Sequence, residues 1–154
     1  MPVIIIGAGI LAIIFSMVFM YIFVRNIVRR GIQKGVQSAQ ERYAGQTIHL
    51  LLENVNFYGQ QSQRLKQVRG NGTLAIASDE LYFVRWIPQK EYIVPLRDIE
   101  SVEIVKSFLG KTNFRPLLKI NFRNAEGESD AMAWLVKDPY NLKDQLKAHI
   151  RDTS

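Results

Sequence analysis

The 154-residue chain contains no cysteine. Disulfides, thiolate metal centres and cysteine nucleophiles are thereby excluded, and the composition is compatible with the cytoplasm. Histidine is almost as scarce, with His49 and His149 the only two. A zinc site takes about four ligands, and neither histidine shares a ligand spacing with carboxylates. Charge is missing from one long segment. Between Val3 and Val24 there is no charged side chain, Ser16 is the only strongly polar one, and the first carboxylate in the chain is Glu41. No G-x-S-x-G elbow and no G-x-x-x-x-G-K-[ST] phosphate loop occurs. Leu109-Gly110-Lys111-Thr112 shares only the tail of the latter, without its first glycine. Asp79-Glu80 and Asp98, Glu100 and Glu103 read as turn and solvated-strand charges. The expectation is a protein that is not an enzyme, with no catalytic residue, metal or cofactor.

The missing charge also removes a nominal motif. Gly7-Ala8-Gly9-Ile10-Leu11-Ala12 fits the letters of a dinucleotide fingerprint, G-x-G-x-x-A. That fingerprint needs a helix with one polar face and an acid about 20 residues on, for the ribose. Here both faces are apolar, and Arg25, Arg29 and Arg30 stand where the acid belongs. A membrane span fits instead. About 22 apolar residues at 1.5 Å each give roughly 33 Å of helix, enough for a ~30 Å hydrocarbon core. Tyr21 and Phe23 lie near its end, where aromatic rings favour the interface. A cleaved signal peptide would carry a positive n-region and a shorter apolar run. With no Lys or Arg ahead of the run and Arg25, Arg29, Arg30, Lys34 and Arg42 after it, the positive-inside rule puts the C-terminal side in the cytoplasm. The expectation is a single-pass protein of a cell inner membrane, N-terminus outside, with residues 1–24 as the anchor.

Residues 25–45 read as a helical stalk. Val28, Ile32, Val36, Ala39 and Tyr43 make one apolar stripe, and Gly45 is a plausible stop. Small residues recur every four positions in two ridges: Ala8, Ala12 and Ser16 in the span, Gly31, Gly35 and Ala39 in the stalk. Such ridges admit close helix–helix packing. Two glycines inside a solvated helix each cost about 1 kcal/mol relative to alanine, so a packing partner is expected to offset them. The formal net charge is +6. Part of the excess sits beside the span, where anionic headgroups explain it. No motif for nucleic acid binding is present.

Beyond Gly45 the apolar period changes from helical to alternating. Extended segments are expected within Thr47–Tyr58, at Thr73–Ala77, Leu81–Ile87, Tyr92–Leu96, Ile99–Lys106, around Leu118–Phe122 and at Ser129–Val136. Turns are expected at Gly70-Asn71-Gly72, at Ser78-Asp79-Glu80, at Ile87–Lys90 and at Asn124–Gly127, with a longer connection over residues 107–116. Asp138 caps a last helix, Pro139 takes its first position, and Leu142, Leu146 and Ile150 form its stripe. About seven antiparallel strands and one closing helix predict a mainly-β, α+β domain over 46–154, a curled sheet or partly open barrel.

The run Gly70–Ile104 resembles the opening of a bacterial pleckstrin-homology-like, or GRAM-like, domain. The edge Val94-Pro95-Leu96-Arg97-Asp98-Ile99-Glu100-Ser101-Val102 and the closing Ala133-Trp134-Leu135-Val136 strand carry the likeness. The whole chain is also similar to small membrane-anchored prokaryotic proteins with R-G-N-G, L-G-K and R-P-L-L segments, here Arg69–Gly72, Leu109–Lys111 and Arg115–Leu118. The resemblance implies the fold and leaves function open, because the fold hosts lipid binding, peptide binding and scaffolding.

Two loops carry the binding expectations. One holds Arg64, Lys66 and Arg69. The other holds Lys106, Lys111 and Arg115 with Phe108 and Phe114, the two rings being either exposed or turned into the core. With Arg25, Arg29, Arg30 and Lys34, these residues suit anionic lipid headgroups or an acidic partner. The first expectation is a membrane-anchored accessory or scaffold whose domain binds a protein partner or self-assembles. The alternative is an anionic-lipid-sensing surface module, and a subunit of an enzyme is a third.

Overall fold

In the computed structural model the backbone is described for residues 2–153, and side chains for all of these except 2–8, 64, 65, 113 and 153. Helix α1 (Pro2–Arg42) is a single helix of 41 residues, about 60 Å long. From Gly9 to Ile27 every residue is exposed. This part is long and apolar enough to cross a membrane. The helix gives way to Gly45 in the left-handed region, φ 81°, which a Cβ would disfavour.

Seven strands follow: β1 (Ile48–Gln60), β2 (Gly70–Ala77), β3 (Glu80–Arg85), β4 (Lys90–Pro95), β5 (Ile99–Phe108), β6 (Lys111–Arg123) and β7 (Ser129–Leu135). Helix α2 (Pro139–Thr153) closes the chain. The sheet order is β4-β3-β2-β1-β7-β6-β5, every pair antiparallel. The curl comes from β1. Its residues Ile48–Phe57 pair with β2 and Asn56–Gln60 pair with β7, with an irregularity between Phe57 and Gly59. Such an extra residue bends a strand and strengthens its twist. β4 and β5 are the two ends of the sheet and do not pair. The barrel therefore stays open, and α2 packs over β5, β6 and the 3-10 turn Leu96–Asp98. This is the PH-like arrangement that the sequence predicts.

Alternation explains the inner core. Phe57, Phe83, Tyr92 and Trp134 meet with ring centroids 5.0–5.8 Å apart. Leu142 and Leu146 of α2 close this core, each worth roughly 1.5–3 kcal/mol by burial. Asp138 caps α2 as expected, its Oδ1 accepting from the Asn141 amide at 3.1 Å. The outer face of β2 and β3 is apolar too. Ala75, Ala77, Tyr82 and Val84 form a second cluster under Ala39 and Tyr43 of α1. These strands are covered on both sides, so their sequence reads as a nearly continuous apolar run.

Three local expectations differ. Gly70-Asn71-Gly72 is not a turn but the start of β2, paired with Phe57, Asn56 and Val55. A Cβ on Gly72 would overlap the Val84 carbonyl and the Phe83 ring, so close strand packing, not turning, selects glycine there. The long connection over 107–116 is a tight hairpin, with β5 reaching Phe108 and β6 starting at Lys111. Leu109 and Gly110, at φ 53° and 71°, form the two-residue turn that matches strand twist. A leucine in that conformation is uncommon, so composition gave no sign of it. Third, residues Gln61–Lys66 form a 3-10 turn.

Candidate functional site

The site begins where α1 meets the sheet. Gly31, Gly35, Ala39 and Tyr43 recur every four residues and are all buried. A Cβ on Gly31 would lie 2.5 Å from the Trp86 ring, and one on Gly35 would overlap Thr73 Oγ1 and come 2.7 Å from Trp86 Nε1. The Trp86 indole N–H donates to Thr73 Oγ1 at 3.1 Å, and the Thr73 hydroxyl donates to the Glu53 carbonyl at 3.1 Å. The stalk ridge therefore receives the chain's own sheet in place of the second helix expected from the small-residue spacing. Ala12 and Ser16 stay exposed on the bare part of α1, and the side chain of Ala8 lies outside the described ones.

The other end of the interface is polar. Arg42 Nη2 and the Tyr43 hydroxyl both donate to Glu80 Oε1, at 3.0 and 2.7 Å. Ser78 Oγ donates to the Gln46 side-chain oxygen at 2.6 Å. The Tyr43 ring stands edge-on to Tyr82, centroids 5.8 Å apart. Burial, and then the hydrogen bond to Glu80, raise the Tyr43 phenol above the usual tyrosine range. Burial does the same to Tyr82.

Residues 86–89 turn from β3 into β4 beside α1. Arg85 is almost fully buried, and its guanidinium donates to the carbonyls of Pro88 (3.0 Å) and Val68 (2.7 Å). These bonds fix the turn against the 67–69 segment. Between the turn and α1 lies an open cleft of about 210 Å³. Its walls are mostly apolar: Ile27, Gly31, Val84, Trp86 and Ile87. Arg30 and Lys34 line its helix side.

The first basic loop lies at this same end of the sheet, and the tip of the second approaches it at Gly59. Asp130 anchors the first. It is buried and accepts from Gln60 Nε2 (2.6 Å), Ser62 N (2.9 Å) and Ser62 Oγ (2.7 Å). Lys66 is exposed, and Arg69 lies 4.4 Å from the Tyr58 ring centroid; the Arg64 side chain lies outside the described ones. The second loop is the β5–β6 hairpin, whose Leu109 is 3.4 Å from where a Cβ of Gly59 would sit. Phe108 packs with Tyr58 and Leu117, whereas Phe114 is fully exposed at 109%. The two rings thus split between the alternatives the sequence left open. Gly70, beside the Ile87 carbonyl, links this group to the β3–β4 turn. Lys106 and Arg115 are exposed and Lys111 half-buried; Arg25, Arg29, Arg30 and Lys34 are exposed on α1. The ion pairs among the described residues, Arg42–Glu80, Arg97–Asp98, Lys119–Glu103 and Arg123–Glu100, use none of these cations.

Sequence reasoning kept the two histidines apart. The fold brings them together, ring centroids 4.8 Å apart and edge-on, one on β1 and one on α2. Asp79 and Asp152 line the same depression. Among the described residues no group of three or more His, Cys, Asp or Glu could hold a metal. A contact between residues so distant in sequence has no local signature.

No family model matches the sequence, and no curated protein matches it. Solved structures with a similar course of chain include the C-terminal domain of an unknown protein from Leishmania infantum, at 16% identity and TM-score 0.45, covering 79% of this chain and 96% of that one. The PDZ-RhoGEF DH/PH domains, solved in complex with GTP-gamma-S-activated RhoA, match at 8% identity and TM-score 0.49, over 80% of this chain and 36% of that one. Inner Membrane Complex sub-compartment protein 3 from Toxoplasma gondii matches at 16% identity and TM-score 0.38, over 78% and 86%. At these identities and scores the likenesses say nothing about ligand or partner; strand order and the closing helix define the class.

Proposed function

We propose that this protein is a non-enzymatic, membrane-anchored binding module whose PH-like domain rests its basic, loop-bearing end on anionic headgroups. Residues 1–24 form the anchor, 25–45 the juxtamembrane stalk and 46–154 the cytoplasmic domain. One observation carries the reading. α1 runs unbroken from its bare apolar segment onto the sheet, and the end of the sheet it reaches first bears the β3–β4 turn and the 61–69 loop, with the tip of the β5–β6 hairpin against Gly59. A domain on a flexible tether could face any way. One clamped through Gly31 and Gly35 presents Lys66, Arg69, Lys111, Arg115 and the bare Phe114 ring toward the bilayer. Cations beside an anionic leaflet are each worth about 1 kcal/mol, and an exposed aromatic ring suits the interface.

The accessory or scaffold reading has one observation in its favour. Ala12 and Ser16 remain bare on the apolar segment, open to a membrane helix of a partner or of a second copy. The stalk ridge no longer supports it, being filled from within the chain.

Hydrogen exchange on the full-length chain in nanodiscs tests the lipid-facing reading. Replacing phosphatidylcholine by phosphatidylglycerol is expected to slow exchange at residues 61–69, 86–89 and 108–115 and to leave the Ser78–Asp79 turn unchanged. Identical exchange in both lipids would remove the lipid-facing reading and leave the helical-partner one.

A further inference from the structure

We propose that the cleft between α1 and the β3–β4 turn binds one anionic phospholipid, its phosphate held by Arg30 and Lys34 and the top of an acyl chain lying along Trp86 and Ile87. The proposal rests on the membrane-anchored reading above and adds to it a discrete site.

Size comes first. The cleft holds about 210 Å³, more than the ~150 Å³ apolar cavity that takes up benzene. It can seat several methylenes, and its mostly apolar walls favour that over water. Exposure points the same way. Ile87 is 66% exposed, so its side chain is available to an acyl chain in the cleft.

Depth comes second. The apolar run ends at Val24. At 1.5 Å per residue, Ile27 stands about 4.5 Å and Arg30 about 9 Å beyond it. The polar layer of one leaflet is roughly 5–8 Å thick. The mouth of the cleft at Ile27 therefore lies among the headgroups, while Arg30 and Lys34, about 9 and 15 Å beyond Val24, stand at and past the outer edge of that layer. A phosphate they hold is thus drawn up from the leaflet toward side chains that reach back to it.

Charge comes third. Arg30 and Lys34 are one helical turn apart on the face that lines the cleft, and neither is in an ion pair among the described residues. An apolar slot topped by two free cations is complementary to an amphiphile with an anionic head. A zwitterionic lipid would bring its own cation against them.

The test uses full-length protein in phosphatidylcholine nanodiscs carrying either brominated phosphatidylglycerol or brominated phosphatidylcholine. Bromine quenches nearby tryptophan. Trp134 is fully buried, so Trp86 reports, with Trp86→Phe as control. Brominated phosphatidylglycerol is expected to quench at a fraction on the order of tenfold lower than brominated phosphatidylcholine, given two cations near the phosphate. The Arg30→Gln/Lys34→Gln variant, altered only at exposed positions, should lose that preference and keep its thermal midpoint. Native mass spectrometry from detergent should find one phosphatidylglycerol on the wild type and none on the variant. Equal quenching by both lipids, or a bound lipid that survives the double substitution, overturns the cleft alone. Wild-type protein stripped from vesicles by alkaline carbonate overturns the anchored reading, and the cleft proposal with it.

Discussion

Single residues in this protein mostly act by what they leave out or keep neutral. Arg85 shows a third demand: its buried cation is tolerable because the Pro88 and Val68 carbonyls accept hydrogen bonds from its guanidinium. Tyr43 and Tyr82 show the keeping of a group neutral in a measurable way. Both phenols are raised in the folded state, chiefly by burial. Below about pH 10, the ordinary tyrosine value, each is neutral folded or unfolded and contributes nothing pH-dependent. Above it the unfolded chain ionises first, so stability falls as pH rises. Of the six tyrosines, Tyr43 and Tyr82 are expected to ionise together with unfolding in an alkaline absorbance titration followed by circular dichroism. Ionisation of all six well before unfolding would contradict the burial argument. The sequence marked Tyr43 as part of an apolar stripe. That Glu80 would meet its hydroxyl was not legible, because the two lie on different elements.

At the scale of elements, the informative case is α1. The two glycines of its stalk, Gly31 and Gly35, signalled an uncompensated cost in a solvated helix, and the spacing named the face. Which partner fills that face was invisible, since a helix and a sheet can both use a small-residue ridge. The sheet filled it because Trp86 and Thr73 project from β2 and the β3–β4 turn into the space a Cβ would occupy. Gly35→Leu is therefore expected to force Trp86 aside and destabilise the domain by about 1–3 kcal/mol or more, read as a lowered urea midpoint and a shifted Trp86 emission. An unaltered midpoint would mean that the helix–sheet contact is dispensable. The β5–β6 hairpin teaches the converse. Lys111–Arg115 lacks the strict alternation of a half-buried strand and reads as a loop, yet its pairing with β5 continues across a register shift between Val105 and Ser107. Irregular pairing conceals a strand from any periodicity argument.

For the whole molecule, the issue is direction. A helix clamped to a sheet converts a sequence of loops into a geometry with one end near the candidate span and one end far from it. Lys111→Glu with Arg115→Glu should then weaken the lipid-dependent protection of residues 108–115 in phosphatidylglycerol nanodiscs while leaving that of residues 86–89 in place, because α1 and the 67–69 segment, not the β5–β6 hairpin, hold the latter. Loss of protection at both would show that the β5–β6 hairpin, not the helix clamp, sets the domain against the bilayer. The histidine pair and the Ser78–Asp79 turn lie at the opposite end, beside the Arg42–Glu80 contact, and should respond to neither lipid nor variant.

The sequence by itself determined the apolar length of α1, the seven strands, the closing helix and the basic character of the loops. These depend on composition and period within a few residues, which a linear chain displays. The tertiary structure decided which face α1 covers, that Phe108 turns inward and Phe114 outward, that His49 meets His149, and that Arg30 and Lys34 share a cleft with Trp86. Each of those depends on where the curl of β1 sends distant strands, and the energy that sets the curl is distributed over pairings no local pattern records.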